Sequence, residues 1–170
     1  MAFDFSNNIQ VYLKFCFLFF CGAVLIRSAV CIINDIADKD FDSKVKRTKK
    51  RPIAFGKVSV KVGLLYSLIL CLIAFGVLLQ FNFYTIILAL CSMPLAFSYP
   101  YMKRFTYWPQ LFLGVTFNYG LILGWTAIYA DLSILPFVFY FGAIFWTLGY
   151  DTIYGFQDIK DDEIIGVKST

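Results

Sequence analysis

Long apolar stretches alternate with short polar connections along the whole chain. Five of these stretches are long enough to cross a bilayer core of ~30 Å as helices, which takes ~20 residues each. They cover residues 11–37, 62–81, 83–102, 108–130 and 132–157. The pattern predicts an all-α protein, a polytopic transmembrane helical bundle that forms a single membrane-embedded domain over residues 1–170.

The composition agrees with an integral membrane protein. Hydrophobic residues make up 60% of the chain and charged residues 15%, whereas soluble domains carry roughly 25% charged residues. The lipid bilayer is therefore an expected partner, and no nucleic-acid partner is expected. The chain has no histidine, which excludes the commonest general base and a common zinc ligand.

Small and polar residues inside the apolar stretches are predicted to serve helix packing. All five cysteines lie there without a CxxC pair, so we interpret them as small core hydrophobes rather than disulfides or metal ligands. In the fourth stretch, Asn118, Gly120 and Gly124 are residue types that allow close contact between membrane helices.

The distribution of positive charge predicts the orientation. Nine of the fifteen Lys and Arg residues lie between the first and second stretches, and thirteen lie on one side if the spans alternate. Positive charge is retained on the cytoplasmic side. We therefore expect an inner membrane, bacterial or mitochondrial, with the polar connections on the cytoplasmic or matrix side.

Carboxylates gather on this same side in a helical pattern. Nine of the eleven acids lie there, and the segment "NDIADKDFD" spaces Asn34, Asp38 and Asp42 by four residues, which places them on one helix face. Arg27 lies two turns earlier on nearly the same face. A charged residue within a span usually faces the bundle interior, so this face is predicted to point inward.

The fifth stretch repeats this design. Asp151, Tyr154, Asp158 and Asp162 also share one face of a helix. Carboxylates that face each other in a partly dry cavity repel unless a cation lies between them, and Mg²⁺ is held by carboxylates together with substrate phosphates. The basic connection is predicted to offer phosphate ligands, namely Arg47, Lys50 and Arg51.

Two other interpretations of the acids remain open. They could be solvated helix ends that balance a basic connection, although their aligned spacing on two helices favours a site. They could also belong to a divalent-cation transport protein, which would place polar residues at all membrane depths.

Four blocks of the sequence, in order, resemble the UbiA superfamily of membrane prenyltransferases. "NDIADKDFD" fits NDxxDxxxD, "VKRTKKRPIAFG" fits RTxxRPxxxG, and "YPYMKRFTYWPQLFLG" and "YDTIYGFQDIKDDEIIGVKST" resemble later blocks of its hydroxybenzoate branch. The resemblance extends from about Arg27 to Thr170. Family members have about nine spans, so the chain is expected to correspond to the central part of such a bundle.

The resemblance implies residue roles. Metal contacts would come from Asn34, Asp38, Asp42, Asp158 and Asp162, and Arg47 and Arg51 would bind the diphosphate. Arg104 would lie near the carboxylate of the aromatic acceptor, Asp158 would help to activate its phenol, and Asp151 and Tyr154 would belong to the pocket.

The implied activity is Mg²⁺-dependent transfer of a polyprenyl group from a prenyl diphosphate to the ring of an aromatic acid. The expected acceptor is 4-hydroxybenzoate, in ubiquinone biosynthesis. The alternative within the family is a truncated relative without catalytic activity.

Overall fold

The described part of the chain is entirely helical. The computed structural model describes residues 5–44 and 48–156, with every side chain from residue 9 onward except those of residues 103 and 104. Within these ranges there is no β-strand. The helices are α1 (Phe5–Ala37), α2 (Lys39–Asp42), α3 (Val60–Leu78), α4 (Phe83–Phe105), α5 (Pro109–Phe117), α6 (Gly120–Tyr129) and α7 (Ile134–Gly155). This confirms the predicted all-α fold class.

Five segments are long and apolar enough to cross a membrane. They are Ile9–Ala37, Val60–Leu78, Phe83–Met102, Pro109–Tyr129 and Ile134–Gly155, within a few residues of the predicted stretches. The last of them ends two residues before the predicted end, which itself lies outside the described residues.

The fourth span differs from the prediction because it is two helices. α5 ends at Phe117 and α6 begins at Gly120. The side-chain nitrogen of Asn118 lies 2.9 Å from the Gly114 carbonyl, 3.1 Å from the Ala143 carbonyl and 2.8 Å from the Thr147 hydroxyl. These contacts attach the break to α7. They matter because lipid offers no hydrogen-bond partner to the backbone groups that a break in a helix frees.

The predicted close-packing positions are only partly correct. Asn118 does contact α7, but a Cβ atom added at Gly120 or Gly124 would meet nothing within 4 Å. Close approach occurs instead at Gly114, where an added Cβ would lie 3.1 Å from the Ile144 carbonyl oxygen. The glycines at 120 and 124 therefore do not mark a helix contact among the described residues.

The helices pack in the order α3, α1, α4, then α5 and α6 together, then α7. α1 lies along α3, where Ala29 is fully buried and its carbonyl accepts a hydrogen bond from the Ser67 hydroxyl at 3.3 Å. α4 lies in the middle, against α1 on one side and α5 and α6 on the other. α4 therefore lies between α7 and the first motif, which is the row of Asn34, Asp38 and Asp42 at the end of α1.

A buried polar cluster joins the start of α4 to α6. The Asn82 side chain accepts a hydrogen bond from the Thr85 backbone N–H at 3.0 Å and donates to the Thr126 carbonyl at 2.7 Å. The hydroxyls of Thr85 and Thr126, both almost fully buried, lie 3.1 Å apart. Asn82 thus caps the N-terminus of α4 by accepting from a backbone N–H, and it also donates to a carbonyl of α6.

Large apolar side chains cover the outer surface of the spans. Phe139 on α7 is 62% exposed and Trp146 is 78% exposed, as expected for surfaces that face lipid. Cys16, Cys31 and Cys91 are also exposed, and all five cysteines are free. The prediction that the cysteines form no disulfide is confirmed, but their assignment to the core is wrong for these three.

The polar cluster at α4 leads to a stability prediction. Asn82→Ala removes the helix cap and leaves two buried carbonyls of α6 without their side-chain donor, so the free energy of unfolding should fall by about 1–3 kcal/mol. Denaturation of the detergent-solubilised protein, followed by helical circular dichroism, measures this. The control is Gln80→Ala, an exposed side chain two residues earlier. Equal stability of the two variants would contradict the assignment.

Candidate active site

The first acidic motif continues the face of α1 across its C-terminal end. The Asp38 N–H donates to the Asn34 carbonyl at 2.9 Å, and the Asp42 N–H donates to the Asp38 carbonyl at 2.8 Å. Helical bonding therefore carries through the turn between α1 and α2, and the three residues lie in one row. Asn34 and Asp38 are half-buried, whereas Asp42 is only 7% exposed.

Arg51 lies between two carboxylates of this motif. Its Nη1 atom donates to Asp35 Oδ1 and to Asp42 Oδ2, each at 3.0 Å. A buried carboxylate without a positive partner is costly, and the guanidinium supplies that partner for Asp42. The structure thus places Arg51, predicted from sequence as a phosphate ligand, directly on the acids.

The connection that carries Arg51 is folded and anchored. Backbone hydrogen bonds run from Arg51 N–H to the Thr48 carbonyl and from Phe55 N–H to the Arg51 carbonyl. Ile53 is buried, and its Cδ1 would lie 3.3 Å from a Cβ added at Gly63 of α3. Gly56 follows with φ +82°, a conformation that favours glycine. Arg51 is therefore held in place by its backbone as well as by its ion pairs.

Tyr99 lies near both the first motif and α7. Its side chain on α4 lies within electrostatic range of Asp38 of the first motif and of Asp151 of α7. The C-terminal ends of α1 and α7 therefore converge at α4. Asp151 is half-buried, while Tyr154, one turn later, is exposed and packs its ring against Tyr150 at 5.9 Å.

Several predicted site residues are not brought into the site by the described structure. Lys50 is exposed. Arg47, Asp158 and Asp162 lie outside the described residues, as does the side chain of Arg104.

The prediction that Arg27 points inward is wrong for the described part of the chain. Its side chain is exposed. The physical reason is its position on α1: it is two positions before the fully buried Ala29, which corresponds to about 200° around a helix. Because Ala29 marks the face packed against α3, Arg27 points away from that contact.

Sequence reasoning missed two residues and gave a third no role. Tyr99 was not singled out, and only the packing of α4 between the two motifs reveals its position. Gln110 is 6% exposed, close to Gly155 at the end of α7; a polar residue inside the predicted stretch 108–130 was the available signal. Asp35 belonged to the motif, but its partner, Arg51, lies sixteen positions away.

The donor set of the first motif fits Mg²⁺. Asn34, Asp38 and Asp42 supply amide and carboxylate oxygens, which this ion prefers. Within residues 5–44 and 48–156, no three His, Cys, Asp or Glu side chains form a preassembled metal cluster. Mg²⁺ is commonly held by one or two carboxylates with substrate phosphates, so a donor set of this size suits an ion that binds with phosphate.

An apolar cavity of about 520 Å³ lies among α1, α3, α4 and the α5–α6 segment. Its α4 lining runs from Thr85 to Phe97, which corresponds to about 18 Å of helix. At one end Phe81 packs against Phe15 and Phe19, with ring centroids 5.8 and 4.9 Å apart. At the other end Phe97 is two residues before Tyr99. The cavity thus runs along α4 toward the end where the acids gather.

Comparison with known proteins identifies relatives that cover most of this chain. The chain is 54% identical over 156 residues to a 4-hydroxybenzoate polyprenyltransferase, mitochondrial, of Caenorhabditis elegans, covering 90% of this chain and 43% of the relative. It is 51% identical over 156 residues to the human protein of that name, covering 90% and 42%. It is 50% identical over 151 residues to 4-hydroxybenzoate geranyltransferase 2 of Lithospermum erythrorhizon, covering 87% and 49%. The chain therefore spans between about two fifths and half of these relatives.

A solved structure has the same fold. The apo structure of a UbiA homolog from Aeropyrum pernix K1 superposes with a TM-score of 0.78 at 28% sequence identity, covering 92% of this chain and 60% of that one. Residues 3–170 match the UbiA prenyltransferase family. The chain belongs to the UbiA prenyltransferase family.

Proposed function

We propose that the protein transfers a polyprenyl group from a prenyl diphosphate to the ring of 4-hydroxybenzoate, with Mg²⁺, in ubiquinone biosynthesis. Family membership and the relatives named for this reaction support the proposal. Since several of those relatives are named as mitochondrial, we also propose the mitochondrial inner membrane, with the site on the matrix side.

One structural observation carries the proposal. An apolar cavity leads along α4 toward Tyr99, which lies within electrostatic range of both Asp38 and Asp151. A prenyl diphosphate has the same division into an apolar chain and a highly charged head. The protein therefore offers each part of the substrate a matching environment, in the same order along one helix.

The diphosphate would bind at the acidic end. Asn34, Asp38 and Asp42 would hold Mg²⁺ on this side, together with Asp158 and Asp162 from the C-terminal segment. When bound, Mg²⁺ stabilises the negative charge that develops on the departing diphosphate. Arg51 would donate hydrogen bonds to phosphate oxygens as it donates to carboxylates in the structure. Arg47 and Lys50 would add further positive charge.

The prenyl chain would occupy the cavity. Its lining is almost wholly apolar, with Ser92, Thr85 and Thr116 among the few polar residues. Such a wall excludes water, which would otherwise capture the allylic cation left when the C–O bond to the diphosphate breaks. Aromatic rings such as those of Phe97 and Tyr119 line the same cavity and can stabilise positive charge through their faces.

The aromatic acceptor needs a positively charged side chain to pair with its carboxylate, and a base to remove a proton from its ring. The ring carbon ortho to the phenol hydroxyl forms the new C–C bond, and the proton on that carbon leaves to a base. Within this chain, which has no histidine, the candidates for the base are a carboxylate, water and the released diphosphate. Asp158 is proposed to activate the phenol, and Arg104 to pair with the acceptor's carboxylate.

Divalent-cation transport is less well supported. A hydrated ion needs polar ligands along its path, whereas this cavity is apolar and the described acids Asp35, Asp38, Asp42 and Asp151 gather near one end. An inactive relative is the alternative that an activity assay decides.

The first prediction concerns activity. Membranes containing the protein, supplied with 4-hydroxybenzoate, geranyl diphosphate and Mg²⁺, should form prenylated product, and EDTA should abolish it. Asp38→Ala and Asp158→Ala should each reduce the rate by roughly 100- to 1,000-fold, because each removes stabilisation of the leaving group's charge. Chromatography of the product measures the rate.

The control for these variants is Asp40→Ala. Asp40 is an exposed carboxylate in the same segment as Asp38, so its loss changes the net charge equally but should leave the rate near that of the parent. Unchanged product in Asp38→Ala or Asp158→Ala would remove that aspartate from the site. No product from the parent protein would favour the inactive alternative.

The second prediction concerns chain length. Phe81 lies at the cavity end away from the acids, so Phe81→Ala should extend the space for the prenyl chain. The ratio of geranylgeranyl to geranyl product should rise about 10-fold or more, as expected when a pocket gains or loses small apolar groups. Competition between the two diphosphates in one reaction measures this ratio.

The ratio is independent of how much folded protein each variant yields. Phe83→Ala provides the matched control, since this ring is 71% exposed on the outside of α4. A ratio that is the same for Phe81→Ala and Phe83→Ala would show that the cavity end does not limit the chain.

A further inference from the structure

The carboxylate of Asp42 is a candidate ligand for two cations, Mg²⁺ and the Arg51 guanidinium. Asp42 is one of the oxygen donors that fit Mg²⁺, yet its Oδ2 atom is 3.0 Å from Arg51 Nη1. Asp42 is 7% exposed, so there is little room for a guanidinium and a divalent ion on the same side chain. A divalent ion bound to Asp42 would lie close to the Arg51 guanidinium, and two positive charges that are close together repel strongly where water is scarce.

We propose that Arg51 is the resident counter-ion of the first motif and competes with the divalent cation for Asp42. The proposal rests on the function proposed above and assigns Asp35 a role within it. Asp35 Oδ1 lies 3.0 Å from the same Arg51 Nη1 atom. Asp35 is the positioning residue that keeps the guanidinium at the motif after Asp42 turns to the metal.

The geometry of the connection permits this exchange. The Arg51 side chain is 40% exposed, so its guanidinium has space to move, while Ile53 and the backbone bonds at Thr48 and Phe55 hold its main chain. A short movement of the side chain suffices to release Asp42. No rearrangement of α1 or α3 is needed.

The exchange makes diphosphate and metal bind cooperatively. A diphosphate offers the guanidinium a new anionic partner, which frees Asp42, and the metal then binds more tightly. By linkage, the metal must strengthen diphosphate binding by the same factor. The consequence is that cation alone binds weakly, which protects the empty site from holding a metal without substrate.

Cation binding without substrate tests this inference. Mn²⁺ is titrated against the detergent-solubilised protein, and the loss of the free-ion signal in electron paramagnetic resonance reports binding. Arg51→Gln should bind Mn²⁺ roughly 5- to 150-fold more tightly than the parent, the usual range of coupling between sites. Arg51→Lys keeps the competing charge and should remain nearer to the parent.

The control separates competition from a change in net charge. Lys49→Gln loses the same charge from an exposed position two residues earlier, and should tighten Mn²⁺ binding by no more than about 2-fold because exposed charges are well screened. Arg51→Gln binding no tighter than Lys49→Gln, or failure of both parent and Arg51→Gln to bind Mn²⁺, would overturn the inference.

A second measurement keeps the test valid if Arg51→Gln is poorly folded. In the parent, pyrophosphate should tighten Mn²⁺ binding, after correction for manganese pyrophosphate formed in solution, and Asp35→Asn should reduce that gain. An equal gain in Asp35→Asn would contradict the positioning role. Prenyl transfer is measured separately: an active parent with no competition refutes only this inference, while competition without product refutes only the proposed function.

Discussion

The charge of carboxylates at the end of an apolar helix has to be balanced, and the described site is organised around that requirement. Asp42 is buried and Asp35 is half-buried, and both take hydrogen bonds from one guanidinium. A buried acid without this partner would be strongly destabilising. The folded connection after α2, with Ile53 anchored beside Gly63, holds Arg51 next to these acids.

The same requirement explains why polar and apolar surfaces are separated along the helices. α1 and α4 run in the same direction, and both line the cavity before they reach the acids. The apolar lining needs no partner charge, whereas the acidic end does. The substrate proposed above, with an apolar chain and an anionic head, would therefore meet its two environments in sequence, and its charged head would take over the partners that balance one another in the structure.

α4 gives this arrangement its geometry. It contacts α1 on one side and α5 and α6 on the other, and the Asn82 cluster fixes its beginning while Tyr99 lies near its end. The Asn118 contacts hold the break between α5 and α6 against α7, so α7 stays in place relative to α4. Both attachments help to keep Asp151 of α7 within electrostatic range of Tyr99.

The sequence by itself determined the fold class, the approximate limits of five spans and the row of Asn34, Asp38 and Asp42, because hydrophobic length and four-residue spacing are local properties of a helix. It also identified the segments that belong to the family. Only the tertiary structure decided that Arg51 pairs with Asp35 and Asp42, that Tyr99 lies within reach of both acidic motifs, that Arg27 is exposed and that the fourth span is broken. Most of these depend on how segments distant in sequence pack against one another, and such packing leaves no periodic signal in the chain.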